Sequence, residues 1–332
     1  MKHNLTLLTG ALLIAASTGA YAQATAVTDP VGYITANVTG TAIPSSPAIS
    51  YVGASLVNKV EYAGVATSGA ANSAAFAAGS FTAAAFGRNS LNEPKFYVEI
   101  TTGPNAGVWT DATSSADNTL TLVDAIGGMM NGQSAKIRAH HTVSGLFGDG
   151  GANPLKLTGG VDTASADILE LISAAGVTQL FFNTDEGAWV SGANLVNDKV
   201  IAPGEGIKVR RRGAAVPIVW VGHVKTGPTV LPVETGTNLV AIPRAVGSNF
   251  TLATSGLLSS GLTGGVDTAS ADILTQLNGL SVSQIYYNTD EAAFVSGANI
   301  VDTAQLLEGS ALRIQRRGAP FNWLVPQEPI AP

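Results

Sequence analysis

The chain has 332 residues, no cysteine, 12% charged residues and a formal net charge of -6. Charge this sparse, against about 25% in an ordinary soluble domain, and of this sign builds no basic field for nucleic acid or anionic lipid. The missing cysteine excludes disulfides and thiolate-bound metals, so stability must come from apolar burial, for which the length suffices.

In chain order, residues 1–22 read as a signal peptide. Lys2 and His3 make a short basic start, and Leu5 to Ala16 is an apolar run too short to span a bilayer. Ala20-Tyr21-Ala22 is a small-x-small cleavage site that places the cut before Gln23. No cysteine follows it, so a lipid anchor is excluded. The mature chain is expected to be exported, to the periplasm, outer surface or medium. No membrane span is expected after cleavage, because no later apolar run reaches the length of a transmembrane helix.

Two β-rich units are expected, 23–216 and 217–332. Val31 to Val38 reads as the strand that opens the first, and Val219 to Val224 as its counterpart before the second. Their junction is placed at Gly213 to Gly222, where Gly, Ala and Pro cluster. Both units then carry an Asn-containing apolar segment, Ser55 to Val60 and Asn238 to Pro243. Gly64 to Gly87 is rich in Ala, Gly and Ser. It is either a low-complexity loop or weak strands packed by Phe76, Phe81 and Phe86.

The dominant signal is internal. Residues 157–214 align without a gap on 262–319, and the segment Leu157 to Leu169 recurs letter for letter as Leu262 to Leu274. In the first copy Asp162 or Thr163 is expected to cap a helix carrying Ile168, Leu169 and Ile172 on one face, and the second copy repeats it with Ile273, Leu274 and Leu277. Gly176 and Gly279 would end these helices. A hairpin follows, with strands at Gln179 to Phe182 and Gln284 to Tyr287, turns at Asn183 to Glu186 and Asn288 to Glu291, and returns at Ala188 to Val190 and Ala293 to Val295. Gly206 to Gly213 and Ala311 to Gly318 read as closing strands. A weaker copy of hairpin and closing strand lies in 95–141, where Gly107-Val108-Trp109 parallels Gly187-Ala188-Trp189. The fold class expected is mainly β: repeated antiparallel hairpin modules, in a sandwich or small barrels, with short helices.

Several of these segments together resemble a secreted, uncharacterised family of verrucomicrobial-type bacteria. The residues that carry the likeness are Asp29 to Tyr33, Phe96 to Trp109, and Gly204-Glu205-Gly206 ahead of Arg210 to Gly213, behind a signal peptide. The likeness covers most of the mature chain and departs from it in the Ala-rich Gly64 to Gly87. It implies export and a β-rich build, and it transfers no site.

Chemical motifs are sparse. Of the four His, His3 lies in the signal, His140 and His141 are adjacent and expected to be exposed, and His223 stands apart. No zinc-protease motif, nucleophile elbow or phosphate loop occurs, so neither a cofactor nor a metal is expected. Asn183, Asp185 and Glu186 offer calcium-type oxygens, but stabilising a hairpin turn is the simpler role. On the closing strand Lys208, Arg210 and Arg212 share one face, while Ile207, Val209 and Arg211 share the other. Arg210, Arg212 and Arg317 are candidate contacts for a polyanionic glycan, and Trp109 and Trp189 for sugar stacking. Internal ion pairs and core positions are the competing roles. Arg211 and Arg316, set among apolar neighbours, are expected to be partly buried and paired within their own module.

The function expected is a secreted or cell-envelope structural or adhesive protein without catalytic activity. An extracellular glycan-binding protein and a secreted polysaccharide-acting enzyme are the alternatives. Expected partners are polysaccharide, other cell-surface components, or further copies of the chain.

Overall fold

The computed structural model describes residues 29–173, 176–241, 250–278 and 281–326. The expected signal peptide, Gly279 and Ile242-Pro243 lie outside the described residues. The chain begins with β1 (Val31–Val38) and β2 (Ala48–Gly53). Next come β3 (Val60–Val65), β4 (Ser68–Ala70), β5 (Ser73–Ala75), β6 (Phe96–Ile100), β7 (Trp109–Ala116), β8 (Thr119–Leu122) and β9 (Ser134–Ala139). The short β10 (His141–Thr142) leads to α1 (Val143–Phe147). Then follow β11 (Ile168–Ser173), β12 (Gly176–Asn183), β13 (Ala188–Ser191), β14 (Asn194–Leu195), β15 (Val200–Ile201), β16 (Gly206–Arg211) and β17 (Val216–His223). The rest of the chain is β18 (Thr229–Val233), β19 (Gly236–Ala241), α2 (Leu257–Ser260), β20 (Ile273–Asn278), β21 (Ser281–Asn288), β22 (Ala293–Ser296), β23 (Asn299–Ile300), β24 (Ala311–Arg316) and β25 (Phe321–Val325).

The fold is mainly β and antiparallel, and among the described residues no sheet closes into a barrel. One sheet runs β2-β16-β11-β12-β13-β14, and a second runs β19-β24-β20-β21-β22-β23. The third, β3-β9-β6-β7-β8-β5-β4, has the same internal order: lead strand, closing strand, then the hairpin and its continuation. Over each of the first two sheets lies a two-stranded ribbon, β1-β17 and β18-β25 respectively. The ribbons alternate as their sequences dictate. In β1, Ile34, Ala36 and Val38 point inward while Val31, Tyr33 and Thr35 face solvent. The apolar face between ribbon and sheet is the core: Ile34, Phe147, Leu169, Trp189, Val209 and Trp220 in one unit. In the other it is Leu231, Phe250, Leu274, Phe294, Ile314 and Trp323.

The two units therefore share one path, lead ribbon strand, sheet strand, short helix, hairpin module, closing ribbon strand. Unit one carries an extra sheet, β3 to β9, inserted between β2 and α1. This corrects one sequence expectation. Val219 to Val224 is not the counterpart of Val31 to Val38; β17 is its hydrogen-bonded partner, with Tyr33 opposite Val221 and Thr35 opposite Val219. The expected junction at Gly213 to Gly222 is thus occupied by a strand whose Ile218 and Trp220 lie in the first core. Short apolar strands with equal alternation cannot reveal from sequence which of them pair.

The helix expected after Asp162 is also replaced. Asp162 Oδ1 accepts from the amides of Ala164 at 3.0 Å and Ser165 at 2.8 Å, and its carbonyl accepts from Ala166 at 3.0 Å. That makes one turn, and Asp267 repeats it. The chain then extends into β11 or β20, each paired on both sides. Gly176, at φ +126°, is a hairpin corner and not a helix end. Pairing on two edges outweighs the modest helix preference of this segment. The short helices instead precede the modules, α1 before Leu157 and α2 before Leu262.

The Ala-rich stretch is part weak strand, the end of β3 with β4 and β5, and part loop from Phe76 onward, and aromatics hold it to the inserted sheet. Tyr62, Phe76, Phe81, Phe86 and Phe96 form a chain of edge-to-face contacts with centroids 5.1–5.7 Å apart. The two large sheets meet where isolated bridges join Val52 to Ser310 and Glu205 to Val240. There Leu239, Ala241 and Ala311 pack with Tyr51 and Ile172.

Candidate functional site

The charged residues singled out in the sequence are mostly used within their own modules. Asp167 is buried; its Oδ2 accepts from the Thr158 amide at 2.8 Å and from Arg211 Nη1, and its Oδ1 from the Arg212 amide at 2.8 Å. Asp272 does the same with Thr263, Arg316 and Arg317. Each aspartate thereby ties the start of its module to the end of the closing strand. Arg211 and Arg316 are paired and largely buried, as expected.

Arg212 and Arg317 spend donors on backbone carbonyls. Arg212 donates to the carbonyls of Ala166 at 3.0 Å, Thr163 at 2.7 Å and Pro44 at 2.8 Å. Arg317 donates to Ala271 and Thr268, both at 2.8 Å. The reason is local: a cap turn that does not continue as a helix leaves its carbonyls without amide partners. Arg210 is half-buried beside Glu170, which also pairs with Lys208 at 2.6 Å and accepts from Gln179 at 3.0 Å. Burial opposes ionisation of Glu170, but Lys208 and Arg210 outweigh it and hold its pKa below the usual carboxylate value.

Trp189 is fully buried, with Nε1 donating to the Gly148 carbonyl at 2.7 Å, so it offers no stacking face. Phe294 fills the equivalent core position. Asn183 Oδ1 accepts from the Asp185 amide at 2.8 Å, and Asn288 repeats this with Asp290. The turn reading of these residues accounts for that geometry. Among the described residues no group of three His, Asp or Glu side chains is arranged to hold a metal.

Unusual chemistry concentrates where the three sheets meet. Asp29 is buried and pairs with Arg138 and, at 2.8 Å, with Lys136 of β9. Glu99 of β6 pairs with Lys225 in the segment between the units. His140 and His141 are not exposed as expected. His140 is buried with Nε2 2.9 Å from Asp111 Oδ1, and His141 Nε2 lies 2.8 Å from the Leu56 carbonyl. Burial pushes the His141 pKa down, against the pull of that carbonyl. Burial, with Glu99 nearby, pushes the Tyr97 pKa up. Among the described residues, the buried side-chain atoms without a protein partner are Arg138 Nε, His140 Nδ1 and Thr229 Oγ1, and they lie at this junction.

Trp109 belongs here. It is half-buried, packs edge-on against Tyr97 and His140, and donates from Nε1 to the Val230 carbonyl at 3.2 Å. The preceding Gly107, at φ +93°, approaches so closely that an added Cβ would sit 2.7 Å from the Pro228 carbonyl oxygen. Trp109 forms one wall of a groove of about 210 Å³ whose other walls include Glu205, Leu231, Glu234 and Leu239. Burial raises the Glu205 pKa, and its Oε2 accepts from the Ala202 amide at 2.9 Å. Sequence reasoning singled out Trp109 but missed Glu205 and Glu234. Glu205 stood inside the Gly204-Glu205-Gly206 segment, whereas nothing about Glu234 in the sequence points to the groove. No family model matches this chain, and no curated protein or solved structure matches it either.

Proposed function

We propose that this chain is an exported cell-envelope or extracellular protein with a structural or adhesive role and no catalytic activity. The observation that supports it is how the reactive side chains are used. The buried carboxylates and most of the cations singled out tie strand to turn or sheet to sheet. Such a build suits a rigid element that presents its surface to other envelope components, to polysaccharide or to further copies of itself. The likeness to a secreted verrucomicrobial-type family and the leader at 1–22 support export. No helix among the described residues is long and apolar enough to cross a membrane. Fractionation of cells expressing the full chain checks the proposal. The expected product begins at Gln23 and sits in the envelope or the medium; an intact Met1 on cytosolic protein would overturn it.

Extracellular glycan binding is the second reading. What favours it is the groove beside Trp109, since Trp189 is buried and Arg212 and Arg317 donate to backbone carbonyls. A polysaccharide-acting enzyme gains no comparable support.

A further inference from the structure

We propose that the groove beside Trp109 is a saccharide subsite that takes sugar rings without acidic groups. This rests on the glycan-binding reading and names its ligand class and residues. The indole is held in place before any ligand arrives, by its Nε1 bond to Val230 and its edge contacts with Tyr97 and His140. A preorganised aromatic face costs little entropy to use, and the C–H face of a sugar ring packs on it. Leu231 and Leu239 extend the apolar wall. Among the described residues the ionisable side chains lining the groove are Glu205 and Glu234, with no Lys or Arg beside them in the lining. The exposed Glu234 carboxylate accepts hydrogens from sugar hydroxyls or pairs with an amino sugar's ammonium, and it repels uronate and sulfate. At about 210 Å³ the groove is below the roughly 300–1,000 Å³ of sites that engulf a drug-sized ligand. It therefore suits one ring of a longer chain.

Trp109 also supplies its own reporter, because Trp189, Trp220 and Trp323 are buried in the two cores. The test is titration of the purified mature chain with chito-oligosaccharides, acetylated and deacetylated, and with oligogalacturonate, followed by calorimetry and tryptophan emission. One or both chito-oligosaccharides should bind and shift the emission, with oligogalacturonate at least tenfold weaker. Trp109→Phe should remove most of the emission shift, and Trp109→Ala should weaken binding at least tenfold. Glu234→Ala, at an exposed position where folding is not at stake, should weaken it several-fold. No binding of either chito-oligosaccharide overturns the proposal. So does a preference for oligogalacturonate, or an affinity unchanged in both Trp109→Ala and Glu234→Ala. None of these results bears on export, which the identity of the mature N-terminus decides separately.

Discussion

Arg316 shows what makes a cation tolerable on the core side of a strand. Its side chain is 8% exposed, Nε donates to the Ala319 carbonyl at 2.8 Å, and Nη1 donates to Thr263 Oγ1 at 2.7 Å and to Asp272. The Phe321 ring lies 4.9 Å from the guanidinium carbon. Truncating one partner of such a pair leaves the other charge buried alone. Arg316→Ala should therefore destabilise by about 3–5 kcal/mol in urea unfolding. Arg211→Ala should cost somewhat less, because Arg211 is 12% exposed at the side chain. A loss below about 1 kcal/mol for Arg316→Ala would mean that the pair behaves as a surface one. The copies also differ in a coordinated way. Glu170, Lys208 and Arg210 form an ionic group in one, where Thr275, Arg313 and Gln315 stand in the other. There Gln315 Oε1 accepts from Thr237 at 2.6 Å. The exchange of Arg210 for Gln315 follows the loss of the carboxylate that Arg210 faces.

At the scale of elements, β2 and β19 approach closely. A Cβ added at Gly53 would sit 1.9 Å from the Ala241 Cβ, so the two large sheets depend on the absence of a side chain there. Gly53→Val should push the sheets apart and destabilise by about 1–3 kcal/mol, as overpacked cores do. Gly87 meets nothing within 4 Å of an added Cβ, so Gly87→Ala is the control and should change little. Thermal unfolding of both variants checks this; equal midpoints would remove the tight contact from the account. Strand placement was largely legible in the sequence. The hairpins, their Asn turns and both closing strands fall where alternation and turn residues put them. The segment after Asp162 was misread because Ile168, Leu169 and Ile172 satisfy helical spacing as well as strand composition. Its partners β12 and β16 decided the matter.

For the whole molecule, the junction ionic groups couple stability to pH. Burial opposes ionisation of Asp29, but hydrogen bonds from Lys136 and Arg138 prevail and hold its pKa below the ordinary value; Glu170 behaves alike. Such carboxyls contribute stability above their unfolded pKa of about 4, and that stability is lost as pH falls through the folded value. Burial lowers the His141 pKa, so its contribution is in place above about 6.5 and fades as pH drops from there towards the folded value. Glu205 works the other way: its raised pKa stabilises below the unfolded value, and the gain is lost as pH rises through the folded one. The expected profile declines modestly from pH 7 to 5 and steeply below about 4. Asp29→Asn should flatten the steep limb. Chemical denaturation across pH would expose an error if stability rose steadily towards pH 3.

The sequence by itself determined the β-rich build, the gapless module and most strand positions, because these depend on local alternation and turn chemistry. It also identified the two arginines that must be paired, since a charge among inward-facing residues needs a partner wherever it lies. Tertiary structure alone decided that β17 returns to β1, that 60–139 is an inserted sheet, and that Arg212 and Arg317 serve carbonyls of the cap turns. It alone brought Trp109, Glu205 and Glu234 to one groove. Strand pairing and sheet docking depend on contacts between residues far apart in the chain, and alternation, being the same in every strand, does not encode which strands meet.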